Sequence, residues 1–172
     1  MTNLYCDGGV IGKNPSPIGG TWAFCVVDVE LFDLHIIEQS GVIVPAQARL
    51  PEITNNLTEM LALVRGLQNL PDDWKGTVYS DSQITLGRVF DGWKWNGIPN
   101  WLHVEFQRER KRLCNWEYIR WQLLQGHPTR AELDAGIGKR GYPVSIHNQW
   151  CDRACGAEAD KFMKKFEMEL IA

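Results

Sequence analysis

The sequence predicts an α/β fold, with a mixed β-sheet covered by helices. Short runs of β-branched and aromatic residues come first, and two of them are separated by little more than a turn. From Thr54 onward, apolar residues recur at spacings of three and four, and helical segments then alternate with strands. At 172 residues the chain is long enough to bury one sizeable core, so we expect a single domain over residues 1–172.

Five segments have the composition of strands: residues 3–7, 21–30, 33–44, 76–81 and 116–124. The second and third are close enough to form a hairpin. The first is expected to end at a glycine turn, Gly8-Gly9, followed by a loop over 9–20.

The helical pattern that begins at Thr54 is amphipathic and ends before Pro71. Its apolar face consists of Leu57, Leu61, Val64 and Leu67. Further helices are predicted over 82–90, over about 100–113, and from near His147 towards the C-terminus, with a long loop after His127.

Composition places the chain among ordinary globular proteins, with 44% hydrophobic and 23% charged residues. No apolar run approaches the roughly 20 residues of a membrane-spanning helix, and Met1-Thr2-Asn3 lacks the cationic region of a signal peptide. The five cysteines include no CxxC pair, which argues against a disulfide framework and a zinc site. We expect a cytoplasmic protein with no membrane partner, in which Cys151 and Cys155 are buried thiols on one helix face.

The net charge of −3 is unusual for a protein that binds nucleic acid. If four carboxylates hold two divalent cations, −3 + 4 gives +1 for the loaded protein. The charge therefore neither supports nor excludes a nucleic-acid substrate.

Acidic residues follow two of the predicted strands. Asp7 lies at the carboxyl end of the first strand and Asp81 at that of the fourth, and the helix between them carries Glu59. A strand–helix–strand unit pairs its strands in parallel, so both aspartates should emerge at one sheet edge. Glu59, one turn into its helix, can face the same point, and Asp152 near the start of the last helix can complete the cluster.

Clustered carboxylates repel one another unless cations neutralise them. Such hard oxygen ligands select Mg²⁺ or Mn²⁺, and two ions about 4 Å apart can hold the attacking and leaving oxygens of a phosphodiester. Each acid alone has a simpler interpretation: a turn at Asp7, a helix-dipole acid at Glu59, an N-cap at Asp81-Ser82 and a solvated charge at Asp152. Their joint order and spacing favour a metal site.

Five segments carry a resemblance to a known family. They are Leu4–Gly9 (LYCDGG, with the glycine-rich loop that follows), Thr54–Ala62 (TNNLTEMLA), Ser80–Gln83 (SDSQ), Gln125–His127 (QGH) and Asn148–Ala154 (NQWCDRA). In order and content they resemble the motifs of the type 1 ribonuclease H family, and they span nearly the whole chain.

The resemblance implies a five-stranded mixed sheet with helices on both faces, and hydrolysis of the RNA strand of an RNA·DNA hybrid to 5′-phosphate and 3′-hydroxyl ends. It implies two Mg²⁺ ions, with Mn²⁺ as a substitute. Asp7 would bridge both ions, Glu59 and Asp81 would hold one, and Asp152 the other. We further expect a monomer.

The resemblance also implies substrate contacts that use the minor groove, where RNA displays 2′-hydroxyls and base edges. These are Asn14, Thr54, Asn55, Asn56, Ser82 and Gln83. Amide side chains suit this surface because they both donate and accept hydrogen bonds. The simpler interpretation of Asn55-Asn56 is helix capping, and the two roles are compatible in one residue.

Two segments depart from the family pattern. The link Trp93–Trp101 carries only Lys94 where many relatives have a basic protrusion, and we expect at least two of its three tryptophans to pack. The next helix carries Arg108, Arg110, Lys111 and Arg112, which either compensate by attracting phosphates or form a solvated face.

The second departure is the loop Pro128–His147, which places 20 residues between His127 and Asn148. It contains Arg130, Lys139 and Arg140. The insertion leaves open whether His127 or His147 assists catalysis, and the position directly after the fifth strand favours His127.

Two alternative functions remain. A nuclease of the same fold that acts on DNA, of the resolvase or integrase type, is disfavoured by the amides Asn55, Asn56 and Gln83. A non-catalytic hybrid-binding module is disfavoured by the four acids, because clustered acids repel phosphate.

Overall fold

The computed structural model describes all 172 residues and contains one five-stranded sheet with the strand order β3-β2-β1-β4-β5. The strands are β1 (Thr2–Val10), β2 (Gly20–Asp28), β3 (Leu34–Ile43), β4 (Thr77–Ser80) and β5 (Arg120–Leu123). Consecutive strands among the first three are antiparallel, whereas β4 is parallel to both β1 and β5. The mixed sheet and the β2–β3 hairpin are confirmed.

Six α-helices connect and follow these strands. They are α1 (Pro45–Ala48), α2 (Asn55–Gln68), α3 (Gln83–Phe90), α4 (Asn100–Arg112), α5 (Arg130–Ala135) and α6 (Ile146–Ile171). The four longer helices confirm the sequence prediction, whereas α1 and α5 were not predicted. None of the helices is both long enough and apolar enough to cross a membrane.

Helices cover both faces of the sheet because β1 alternates its side chains between two cores. Leu4 and Cys6 point into a core of 23 buried residues that includes the predicted apolar face of α2. Tyr5 points to the opposite face, where a core of 7 buried residues includes Cys151 and Cys155 of α6. The main core therefore lies under α2, and the burial of both thiols is confirmed.

Two strand boundaries differ from prediction. β1 does not end at Gly8-Gly9, because both glycines stay in the antiparallel ladder opposite Trp22 and Thr21, and the strand continues to Val10. The loop that follows is correspondingly shorter.

At the other boundary, residues 116–118 form a 3₁₀ turn and β5 begins only at Arg120. Its partner β4 offers four residues, and all four are paired with 120–123. Residues 116–118 therefore have no strand partner, and Trp116 stacks on Phe90 of α3 with 5.4 Å between ring centroids.

The predicted long loop after His127 is partly structured. Thr129 and Glu132 form a capping box at the start of α5, in which each side chain accepts a hydrogen bond from the other residue's backbone N–H. After α5, an isolated β-bridge joins Ile137 to Pro143. The Thr-x-x-Glu spacing was present in the sequence, so this helix could have been predicted.

The link Trp93–Trp101 packs as expected for two of its tryptophans. Trp95 stacks on Phe106 with 5.1 Å between centroids, and the indole N–H of Trp101 donates to the Ala48 carbonyl over 2.9 Å. Trp93 remains 44% exposed.

Candidate active site

Three carboxylates from separate elements meet at one edge of the sheet. Asp7 belongs to β1, Asp81 follows β4 directly, and Glu59 lies in the second turn of α2. Because β1 and β4 are parallel neighbours, their aspartates emerge side by side. One carboxylate oxygen from each of the three residues lies within 4.8 Å of the others.

Gly8 allows α2 to approach β1 closely enough for this contact. A Cβ at position 8 would lie 2.4 Å from the carbonyl carbon of Thr58 and 2.5 Å from the backbone nitrogen of Glu59. The N–H of Gly8 also donates to Oδ1 of Asp7 over 2.9 Å. Only glycine at this position lets the helix bring Glu59 against Asp7.

The carboxylates are poorly solvated and destabilise one another's ionised forms. Burial raises the pKa of Asp7 well above its usual range, and the charges of Asp81 and Asp152 raise it further. Burial likewise raises the pKa of Glu59, with the charges of Asp7 and Asp81 adding to the effect. Burial also raises the pKa of Asp81, but the Asn148 amide and His127 oppose that shift.

Asp152 lies in the second turn of α6, outside the tight group of three. Its side chain is 51% exposed, and its Oδ2 lies 3.9 Å from Nδ1 of His127. It lines the same cavity as the other acids. The structure thus places the fourth predicted acid at the rim of the site.

The acids open into a cavity of about 640 Å³. Its lining is mostly polar and comprises Asp7, Gly8, Gly9, Asn55, Glu59, Asp81, Ser82, Gln83, Ile84, Gly126, His127, Arg140 and Asp152. Of the six predicted substrate contacts, three are in this lining (Asn55, Ser82 and Gln83), and three lie outside it near the start of α2 (Asn14, Thr54 and Asn56).

Helix capping at α2 is performed by Thr54, whose hydroxyl accepts from the Leu57 N–H over 3.2 Å. The capping interpretation of Asn55-Asn56 is therefore wrong, because both residues follow the cap and lie inside the helix. Asn14 packs beside them, with its Oδ1 accepting from the Asn55 N–H over 3.1 Å.

Ser82 is the N-cap of α3, since its hydroxyl accepts from the Thr85 N–H. This simpler interpretation of Ser82 holds alongside its position in the cavity lining. Gln83, directly after it, is exposed.

The two candidate histidines lie in different environments. His127 lines the cavity with an 83% exposed side chain and follows Gly126, where a Cβ would lie 2.8 Å from Oδ2 of Asp81. His147 is 7% exposed, and its Nδ1 lies 2.7 Å from Nε2 of His35. Only His127 is near the acids.

Two residues of the site were not predicted as such. Asn148 donates from Nδ2 to Oδ2 of Asp81 over 3.3 Å, and it stood within the motif Asn148–Ala154. Arg140 lines the cavity from the segment after β5, where no family motif marks it. The first could have been found from the motif, and the second only from the fold.

Carboxylates this close together can hold a divalent cation, an arrangement typical of metal-dependent hydrolases with an α/β fold. Comparison with known proteins narrows the class. Residues 1–160 match the family model for RNase H. A ribonuclease H of Rhodopirellula baltica is 35% identical over 165 residues, which cover 93% of this chain and 91% of the relative.

A ribonuclease H of Syntrophus aciditrophicus is 31% identical over 138 residues, covering 75% of this chain and 72% of the relative. Among solved structures, LC11-RNase H1 in complex with an RNA/DNA hybrid shares the fold, with a TM-score of 0.65 and 18% identity over 95% of this chain and 99% of that one. The chain belongs to the ribonuclease H family, whose members are hydrolases that act on the RNA of RNA–DNA hybrids.

Proposed function

We propose that this chain is an endoribonuclease that cuts the RNA strand of RNA·DNA hybrids, using two Mg²⁺ ions for which Mn²⁺ can substitute. The observation that carries the proposal is the group of three carboxylates, the buried Asp7 and Glu59 and the half-buried Asp81, which have ligand oxygens within 4.8 Å of one another in a chain of this family. Asp152, on the rim of the same cavity, is the fourth ligand that we assign.

The acidic site suits divalent cations for three reasons. Oε2 of Glu59 is buried and has no hydrogen-bond partner, so it is available to a ligand. The raised pKa values of Asp7 and Glu59 arise from burial and mutual repulsion, both of which a bound cation relieves. Hard carboxylate oxygens are the donors that Mg²⁺ prefers. Bound there, the ions would supply Lewis-acid stabilisation of the phosphate and a more acidic attacking water.

The side chains around the acids have separate tasks in the proposed reaction. A water oxygen bonds to phosphorus while the P–O3′ bond breaks, the water gives up one proton and the leaving O3′ takes one up. His127, exposed at the rim of the cavity, can deliver the proton that the leaving O3′ takes up. Asn55 and Gln83, whose amides donate and accept, contact the minor groove of the hybrid.

The proposal extends to a single ribonuclease H domain over residues 1–172 that acts as a monomer in the cytoplasm. The continuous sheet and the family match to residues 1–160 support the first part. All five cysteines are free thiols, which suits a reducing compartment.

A gel assay with four labelled substrates tests the activity: RNA·DNA hybrid, double-stranded RNA, double-stranded DNA and single-stranded RNA, each with Mg²⁺. We expect cleavage of the hybrid's RNA strand alone, none with EDTA, and recovery with Mn²⁺. The variant Asp81→Asn serves as the control for contaminating nuclease. Cleavage of duplex DNA would favour the resolvase-type alternative, and hybrid binding without cleavage would favour a binding module.

A further inference from the structure

Arg140 lies at the tip of a tight turn formed by the segment after β5. The Gly141 N–H donates to the Gly138 carbonyl over 2.9 Å, and the Gly138 N–H donates to the Tyr142 carbonyl over 2.8 Å. The Arg140 guanidinium carbon lies 5.9 Å from the centroid of the Tyr142 ring. Two backbone hydrogen bonds therefore hold the turn that carries Arg140, and an aromatic ring lies beside its guanidinium.

The turn is also fixed to the elements on either side. The Gln125 N–H donates to the Pro143 carbonyl over 2.9 Å, which joins the turn to the end of β5. The Lys139 N–H donates to Oε2 of Glu132 over 3.0 Å, which joins it to α5. The position of the tip relative to the sheet edge is thus determined by hydrogen bonds on both sides.

Arg140 is the only lysine or arginine in the lining of the acidic cavity. Four carboxylates share that lining, yet Arg140 takes part in none of the ion pairs of the structure. Its guanidinium is free to bind an anion, and its planar arrangement of donors matches two oxygens of a phosphate.

We propose that Arg140 contacts the scissile phosphate of the RNA strand and stabilises the charge that it carries in the transition state. The inference rests on the proposed function. A donor aimed at the non-bridging oxygens contributes most as the phosphorus is attacked. The family resemblance assigns no substrate contact to this segment, so the role of Arg140 rests on the cavity lining and the turn alone.

The variant Arg140→Gln tests the assignment, because it removes the charge from an exposed side chain without disturbing the core. We expect kcat to fall roughly ten- to hundredfold with little change in KM, the pattern of an interaction made in the transition state. Arg140→Lys should recover part of the loss, since lysine keeps the charge but loses the two-pronged geometry. Lys139→Gln is the matched control: it has the same charge change at the same tip, outside the cavity lining, and should retain kcat.

Binding provides the second readout. Hybrid affinity is measured by fluorescence anisotropy in the Asp7→Asn background, with and without Arg140→Gln. We expect Kd to change less than about threefold, because the contact strengthens only during reaction. An unchanged kcat in Arg140→Gln, or a loss confined to Kd and KM, overturns the inference while wild-type cleavage stands. A wild-type chain that leaves the hybrid uncut overturns the proposed function itself, and the inference with it.

Discussion

The side-chain amide of Asn148 donates a hydrogen bond of 3.3 Å to Oδ2 of Asp81. Asn148 belongs to the first turn of α6 and Asp81 follows β4, so the contact joins a helix on one face of the sheet to the acidic edge. Asn148 is 4% exposed. By donating to the carboxylate, it favours the ionised form and lowers the pKa of Asp81 against the larger effect of burial.

Asn148→Ala should therefore raise the pKa of Asp81 and move the acid limb of the pH profile of kcat/KM to higher pH. The lost hydrogen bond should also reduce the free energy of unfolding by about 1–2 kcal/mol. Rates across pH and urea unfolding measure the two effects. Gln149→Ala, at the next position of the same helix, should leave the profile unmoved. An unshifted profile in Asn148→Ala would show that the amide does not control Asp81.

Asp7→Asn and Asp81→Asn should each abolish cleavage while leaving the fold intact. Each change removes a carboxylate that we assign to the metal site, yet it also relieves repulsion among the remaining acids. Thermal stability without Mg²⁺ should therefore hold or rise. Single-turnover assays at saturating Mg²⁺ and thermal melts in EDTA measure both effects. Near-wild-type turnover in either variant would falsify the metal-site assignment.

Without metal, the acidic site should make folding stability depend on pH. The pKa values of Asp7 and Glu59 are raised in the folded chain, so folding favours their protonated forms. Their contribution is fully present below the ordinary carboxylate range, near pH 4, and is lost as the pH rises through the raised values. In EDTA, the free energy of unfolding measured with urea should decline as the pH rises from about 4. Added Mg²⁺ should suppress this decline, and Asp7→Asn should make it smaller. If wild type and Asp7→Asn showed the same pH dependence of stability, the dependence would not arise from the acidic site.

Sequence patterns predicted the sheet and the acidic edge because both depend on local signals. The spacing of Leu57, Leu61 and Val64 indicated α2, and acids placed after two strands indicated where their side chains would meet. Gly8 could be seen only as a turn residue, since its true requirement is the close approach of a helix from elsewhere in the chain.

The parts that sequence did not predict depend on contacts between distant segments. The start of β5 is determined by the length of its partner β4, which composition does not encode. Arg140 lines the acidic cavity only because the segment after α5 folds back on Gln125. No pattern within the segment itself carries that information.

Arg112 is a second residue whose role depends on contacts with a distant segment. Its place in a basic stretch left two interpretations open, a phosphate contact or a solvated helix face. Its guanidinium instead donates to the Leu67 carbonyl in the last turn of α2 and to the Leu70 carbonyl just after that helix. It also forms ion pairs with Asp72 and Glu109, each at 2.7 Å. Of the two interpretations, the one in which Arg112 compensates for the missing basic protrusion is therefore disfavoured, because its guanidinium is already engaged within the chain.

Arg112→Gln should destabilise the chain by about 2 kcal/mol, because several charge-assisted hydrogen bonds at the end of α2 are lost together. The slope of log Kd for the hybrid against log salt should stay unchanged, since no phosphate contact is removed. Arg110→Gln, on the same turn of α4, is the control for stability. A flatter salt slope in Arg112→Gln would restore the compensating role.

Substitutions of His127 and His147 should separate an effect on catalysis from an effect on stability. His127 lines the cavity on a segment that passes Asp81 closely, so His127→Ala should slow turnover while leaving Mg²⁺ binding by calorimetry unchanged. Acid–base assistance contributes on the order of 10²–10⁴-fold, and the loss should fall within that range and below the loss of a metal ligand.

His147→Ala is the matched comparison, because this ring is buried against Tyr5 and hydrogen-bonded to His35, away from the acids. It should leave kcat nearly unchanged and lower the free energy of unfolding by about 1–3 kcal/mol, since a buried partner of His35 is lost. Chemical rescue sharpens the contrast: added imidazole should restore part of the rate to His127→Ala and none of the stability to His147→Ala. If His147→Ala carries the rate loss while His127→Ala is silent, the proton passes through the other histidine and the role assigned to the segment after β5 fails.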